Sequence, residues 1–305
     1  MIQPTTPSPN APGTAFASTA FGSFAPEASG DDVLTLPVGS RIAEFVITGL
    51  VGIGGFGIVY KAHDESLDRI VALKEYMPAS LAFRQEGQTV SVKSSRHVET
   101  FHAGLKSFVN EARMLALFDH PALVKVYRFW EANGTAYMVM PLFEGQTLKN
   151  ALASQPAHPP QAWLMQLLTP LLEALQLLHA KNCFHRDIAP DNIFLQHNGQ
   201  PVLLDFGAAR QVIGDMAKNL TVILKPGYAP IEQYASDPNL PQGPWTDLYA
   251  LAAVLYHAIT GKPPSAAVGR LVKDNVVPLA GNADLNAYDP SFLQAIDRAL
   301  AVKQA

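Results

Sequence analysis

The chain of 305 residues has a single cysteine, Cys183, which excludes an internal disulfide and any zinc site built from several thiolates. A lone thiol suits a reducing cytosol. Charged residues make up only 16% of the chain, and its 22 Lys and Arg never gather into a run that could track a phosphate backbone, so nucleic acid is not an expected partner. Long hydrophobic runs are also missing. The longest, Leu248 to Thr260, is too short to span a bilayer and contains His257. No basic stretch followed by an apolar core opens the chain, so these residues read as soluble and cytoplasmic. What is present is 48% apolar content, enough for one large domain or two modest ones.

Residues 1–38 contain Pro4, Pro7, Pro9, Pro12, Pro26 and Pro37 among Ala, Ser, Thr and Gly, with no Lys or Arg before Arg41. Such a segment buries too little apolar surface to offset its chain entropy and reads as a flexible tail. From Arg41 the texture changes to β-branched and aromatic runs at Glu44–Leu50, Ile58–His63, Arg69–Glu75, Val124–Trp130 and Thr135–Pro141. Asn133-Gly134 joins the last two as a tight hairpin. Between the third and fourth runs, Phe101, Leu105, Phe108, Ala112 and Leu115 recur at helical spacing. The expectation is a five-stranded antiparallel sheet with one helix. Beyond Gly145 helices dominate, one with Leu164, Leu167, Leu168, Leu171, Leu172, Leu175 and Leu178 on a face and another near Asp247–Ile259. Two short strands flank Asn198-Gly199. The fold class is α+β: a β-rich lobe followed by a larger helical lobe.

Three motifs carry chemistry. In Gly52-Ile53-Gly54-Gly55-Phe56-Gly57-Ile58-Val59, glycines between two strands let backbone N–H groups approach a polyphosphate. A dinucleotide site would need the glycines to open a helix, and a strand follows instead. In Val71-Ala72-Leu73-Lys74, a lysine in an apolar strand needs an anion, and Glu111 on the helical stripe supplies one. His185-Arg186-Asp187-Ile188-Ala189-Pro190-Asp191-Asn192 is followed by Asp205-Phe206-Gly207. Together these motifs resemble the eukaryotic-type (Hanks-type) serine/threonine protein kinases over residues 42–305, and the variants Lys74-Glu75-Tyr76-Met77-Pro78 and Gly227-Tyr228-Ala229-Pro230-Ile231-Glu232-Gln233-Tyr234 resemble the bacterial branch.

That resemblance implies a bilobal kinase fold, with an N-lobe of about residues 42–141 and a C-lobe of about 144–305, and ATP and Mg²⁺ in the cleft between them. It implies that Gly52, Gly54 and Gly57 cover the phosphates, with Val59 and Ala72 beside the nucleotide. Lys74 holds the phosphates and Glu111 orients Lys74. Met140 backs the adenine, and Pro141, Leu142 and Phe143 form the hinge. Asp187 serves the substrate hydroxyl, Asn192 and Asp205 hold Mg²⁺, and Asp247 ties down the catalytic loop. Arg186 pairs with a phosphorylated activation loop, whose sole Ser/Thr hydroxyl before Tyr228 is Thr221, the expected autophosphorylation site. The implied partners are protein substrates, with self-association during autophosphorylation. A membrane or sensor segment often accompanies this branch.

The sequence departs from the family in four places. Ala189 stands where a lysine usually contacts the transferred phosphate, and Lys225 stands where a threonine usually packs beneath it, so Lys225 is a candidate relocated cation. Ala229-Pro230-Ile231-Glu232 replaces a contiguous Ala-Pro-Glu, and Glu232 lacks its expected arginine within 305 residues, as in a truncated last helix. The connection from Lys74 to Glu111, with Arg84, is longer than usual and reads as a surface excursion. Two other functions compete: a pseudokinase acting as a nucleotide-binding interaction module, and a small-molecule phosphotransferase. His97 and His102 do not share a helix face as a metal pair would, and Cys183 reads as a small buried hydrophobe.

Overall fold

Alternating β-branched and aromatic residues build strands that hydrogen-bond side by side, and the apolar stripe after them builds the helix that covers one face. A computed structural model describes residues 34–85, 87–154, 158–206, 224–234 and 240–303. In chain order it contains β1 (Arg41–Ile42), β2 (Phe45–Ile53), β3 (Gly57–Asp64), β4 (Arg69–Tyr76), β5 (Ala82–Arg84), β6 (Val90–Val92), α1 (Val98–Leu115), β7 (Arg128–Ala132) and β8 (Thr135–Pro141). The main sheet is antiparallel, ordered β1-β2-β3-β4-β8-β7. It has six strands rather than the five expected, because Ile42 and Arg41 pair with Phe45 and Val46. The run from Val124 enters the sheet only at Arg128.

Register decides which residues meet, since cross-strand partners share a face. Val59 pairs with Lys74, Lys74 with Met138, and Ala72 with Met140, so these side chains line one face. Tyr60 pairs with Leu73, and Glu75 with Tyr137, on the other. The β7–β8 turn uses Asn133 and Gly134 at φ 53° and 72°, the left-handed pair such a hairpin favours. In α1, the stripe Phe101, Leu105, Phe108, Ala112 and Leu115 is buried. Each large apolar side chain there contributes about 1.5–3 kcal/mol.

The second face is not bare. The connection after Lys74 folds into the β5–β6 hairpin, whose Arg84 is buried and bonds Glu75 through both carboxylate oxygens. The surface excursion expected there is therefore a packed outer layer. Residues 34–38, assigned by composition to a flexible tail, join it. The Leu36 N–H donates to the Tyr60 hydroxyl at 3.0 Å, and the Leu34 carbonyl accepts from Arg84 Nε at 2.8 Å. Leu36 is buried. Residues 1–33 lie outside the described residues.

The second lobe follows with β9 (Gly145–Thr147), α2 (Leu148–Ser154), α3 (Gln161–His179), β10 (Ile193–Gln196), β11 (Pro201–Leu203), α4 (Pro244–Thr260), α5 (Ala267–Val272) and α6 (Pro290–Ala299). Strands β9, β10 and β11 form a small antiparallel sheet. Leu164, Leu167, Leu171, Leu175 and Leu178 of α3 are buried, whereas Leu172 is exposed and lies with Leu248 beside a shallow groove. One apolar core runs from the main sheet into α3 and β10–β11; a second joins α4 and α6. Among the described residues no helix is long and apolar enough to cross a membrane.

Candidate active site

The strand β4 carries Lys74 to the face covered by α1, and α1 turns Glu111 toward it. Lys74 Nζ lies 3.8 Å from Glu111 Oε1 and also bonds Asp205 Oδ1 of the second lobe. Side-chain exposures of 14% for Lys74 and 4% for Glu111 place this pair in a weakly screened setting, while Asp205 is 37% exposed. The glycine turn lies over the same face, closed by the Gly54 N–H bonding the Gly57 carbonyl at 2.8 Å. A Cβ on Gly55 would meet open space and one on Gly54 would make ordinary contact with the Gly57 carbonyl at 3.6 Å, but a Cβ on Gly57 would sit 2.5 Å from the Glu75 carbonyl. Gly57 is thus required by the β3–β4 contact, a reason the motif alone does not reveal.

The second lobe supplies a rigid loop. Asp247, fully buried near the start of α4, accepts hydrogen bonds from the His185 and Arg186 N–H groups at 2.9 and 2.8 Å and from His179 Nε2 at 2.8 Å. This places Asp247 beneath the catalytic-loop motif as the sequence suggested; His179, at the end of α3, gave no sequence signal. His185 Nε2 donates to the Leu204 carbonyl at 2.9 Å, and its ring stacks on Phe206 with centroids 4.8 Å apart. Arg186 and Asp205 adopt left-handed backbone, φ 65° and 37°, conformations that cost energy outside glycine and concentrate at functional sites. Asn192 Nδ2 donates to Asp187 Oδ2 at 2.6 Å and to the Asp187 carbonyl at 2.8 Å. The Leu204 N–H bonds the Asn192 carbonyl at 2.8 Å, which sets Asp205 next to Asn192.

Lys225 also reaches this loop, with its ammonium 2.7 Å from Asp191 Oδ1 and 3.4 Å from Asp187 Oδ1. Ala189 between them is fully buried. Val59, Ala72 and Met140 line the sheet face beside Lys74, and the Phe143 ring packs on Phe194 at 6.1 Å. Arg186 is exposed, its guanidinium 5.6 Å over the Phe184 ring. Thr221 lies outside the described residues. Glu232 is buried and accepts from the Thr246 hydroxyl at 2.8 Å, a partner the sequence did not signal. Cys183 is buried and burial raises its thiol pKa, which agrees with the packing role read for it.

Burial pushes the His185 pKa below the ordinary histidine value, against the pull of Asp247 and Asp187. His257 shifts the same way, also through burial. Unfolded histidine binds a proton near pH 6.5, whereas the folded protein resists it. The contribution of these two histidines to unfolding free energy is therefore fully present above about pH 6.5 and is lost as pH drops toward the lower folded values, by at most about 1.4 kcal/mol per pH unit per histidine. Urea unfolding at pH 7.5 and 5.5 checks this, and equal stabilities would contradict it.

A protein kinase domain model matches residues 45–279. The chain belongs to the protein kinase family. Its curated relatives include Serine/threonine-protein kinase pkn2 of Myxococcus xanthus, 32% identical over 70% of this chain and 24% of that protein. PknL of Mycobacterium tuberculosis is 31% identical over 85% of this chain and 61% of its own length. The kinase domain described above thus spans between about a quarter and three fifths of these relatives. A solved structure, the apo form of PpkA-294, is 49% identical, covers 88% of this chain and 94% of its own, and superposes with a TM-score of 0.81. The relatives place the domain in the bacterial, Hanks-type serine/threonine branch, and the two lobes are the bilobal kinase fold. Kinases of this family use ATP and a divalent metal.

Proposed function

We propose that this kinase domain transfers the γ-phosphoryl group of ATP to Ser or Thr hydroxyls of cytoplasmic proteins and to its own Thr221, the latter through transient encounter of two copies. The observation that carries the reading is the convergence of Lys74, Glu111 and Asp205 across the lobes beside the bonded pair Asp187–Asn192. Phosphoryl transfer depends on positioning and charge more than on covalent chemistry, and this cleft supplies both.

Glu111 faces the ammonium of Lys74, which is placed to hold the α- and β-phosphates beneath the turn Gly52–Gly57. Val59, Ala72 and Phe143 flank the adenine. Asn192 fixes one oxygen of Asp187, so the carboxylate can orient an incoming hydroxyl and accept its proton. By giving Nδ2 to Asp187, Asn192 turns its amide oxygen away, and that oxygen with the Asp205 carboxylate is a donor set suited to Mg²⁺. The ion, when bound, neutralises charge on the phosphate oxygens. Exposed Arg186, next to Asp187, is available to a phosphorylated Thr221.

Purified protein incubated with ATP and Mg²⁺ should gain the mass of one or more phosphates, mapping to Thr221, and the Asp187→Asn variant should gain none. No gain in the parent, with ATP still raising its melting temperature, would instead support a nucleotide-binding interaction module.

A further inference from the structure

The cleft floor holds three carboxylates, from Asp187, Asp191 and Asp205, and an approaching polyphosphate adds more negative charge. Lys74 meets Asp205 and Glu111 on the first-lobe side. On the other side, among the described residues, the ammonium of Lys225 comes within reach of Asp187, 3.4 Å from the carboxylate which would orient the acceptor hydroxyl. Its side chain is 18% exposed, so it enters the loop rather than projecting into solvent.

The backbone beneath Lys225 is anchored from several directions. Its carbonyl accepts from the N–H groups of Tyr228 and Ala229 at 3.1 and 3.0 Å, closing a turn. Gly227, at φ 88°, sits so close to the Pro264 carbonyl that a Cβ would approach within 2.6 Å. The Tyr228 hydroxyl and His257 Nδ1 share a hydrogen bond of 2.6 Å; burial raises the phenol pKa and lowers that of the imidazole, which keeps both neutral. Gln233 Nε2 bonds the Arg186 carbonyl at 2.7 Å, tying this turn to the catalytic loop. A cation on such a support does not need to reorganise when charge develops in front of it, the condition under which electrostatic stabilisation is greatest.

We propose that Lys225 is a catalytic residue whose ammonium contacts the transferred phosphoryl group, doing from the turn at 224–234 what no side chain at Ala189 can do. The proposal rests on the kinase reading. In it, the 2.7 Å pair with Asp191 holds the ammonium in place before nucleotide arrives. When the γ-phosphoryl bond to the leaving oxygen breaks and the bond to the acceptor oxygen forms, Lys225 gives up no proton. It lowers the energy of the oxygens that carry the charge, while Asp187 takes the hydroxyl proton.

Three measurements on the full chain test it: phosphate transfer to casein, the melting temperature, and the affinities for Mg·ADP and Mg·AMP-PNP. Lys225→Met is expected to lower kcat about a hundredfold or more with the KM for ATP changed less than threefold. It should also remove most of the preference for AMP-PNP over ADP. Adding Ala189→Lys should restore at least a tenth of the parent rate, because a lysine there approaches the same oxygens from another backbone position; a merely structural brace to Asp191 would not be rescued in this way. If the methionine variant melts below the assay temperature, Lys225→Gln, which can still bond Asp191, carries the same expectations. A variant with the parent's rate, or one with a reduced rate but an unchanged AMP-PNP to ADP ratio and no rescue, overturns the proposal. A parent that transfers no phosphate defeats the kinase reading instead, and the affinity ratio then still decides whether Lys225 meets the third phosphate.

Discussion

Lys74→Met should reduce phosphate transfer by about a thousandfold or more while the domain stays folded. The ammonium of Lys74 is held between Glu111, 3.8 Å away, and Asp205. Methionine keeps the stem's length against Phe108, whose ring lies 5.7 Å from Nζ, and deletes only the charge. In the assembled cleft that charge would meet phosphate oxygens in a partly desolvated site, where a cation is worth much more than in water. Glu111→Gln separates placement from charge. It leaves the ammonium present but weakens what aims it, so a loss of about tenfold to a hundredfold is expected, with a raised KM for ATP. Rates on casein, with melting curves for each variant, check both. A Lys74→Met enzyme retaining a tenth of the parent rate would sink the assignment.

What could be read beforehand follows a physical division. The meeting of Lys74 with Asp205 and of Asp187 with Asn192 was legible because the motifs that carry these residues are short, fixed in spacing and flanked by apolar residues that bury on their own. The hairpin at Asn133-Gly134 was legible because two consecutive left-handed residues demand that dipeptide. Features set by long-range pairing were not. Arg41–Ile42 is too short to announce a strand and forms one only because β2 folds back beside it. Gly57 looked like a phosphate-loop glycine, and only the β3–β4 register shows the Glu75 carbonyl against it. Thr246 as the partner of Glu232 depends on how α4 meets the preceding turn.

The same division explains Arg84, which looked like one polar residue in a loop. In the fold it is the plug of the outer layer: Nη2 lies 2.5 Å from Glu75 Oε2 and Nη1 lies 3.1 Å from Oε1, a two-pronged pair with Glu75 fully buried. Burial works against the guanidinium's charge, yet the bond and charge of Glu75 outweigh it and raise its pKa. The hydroxyls of Tyr60 and Tyr137 donate to the same carboxylate at 3.0 and 3.2 Å; burial first and the Glu75 charge second keep both phenols protonated.

Arg84→Ala therefore leaves a buried carboxylate facing only neutral donors, and unfolding stability should fall by about 3–5 kcal/mol. The loss is expected to exceed that of any single surface pair, such as Lys125–Asp119, where about 0–1 kcal/mol is at stake. Replacing both partners, Glu75→Met with Arg84→Met, should recover much of the loss because no charge then remains to be desolvated. Denaturant titrations of the two singles and the double measure the coupling directly, and a double variant no more stable than Arg84→Ala would refute the desolvation argument. A catalytic consequence follows from the strand itself. Glu75 follows Lys74 in β4 and points to the opposite face, so loosening the outer layer frees the strand that aims the ammonium. The single variant should raise the KM for ATP severalfold at temperatures where it remains folded, and the repacked double variant should bring it back.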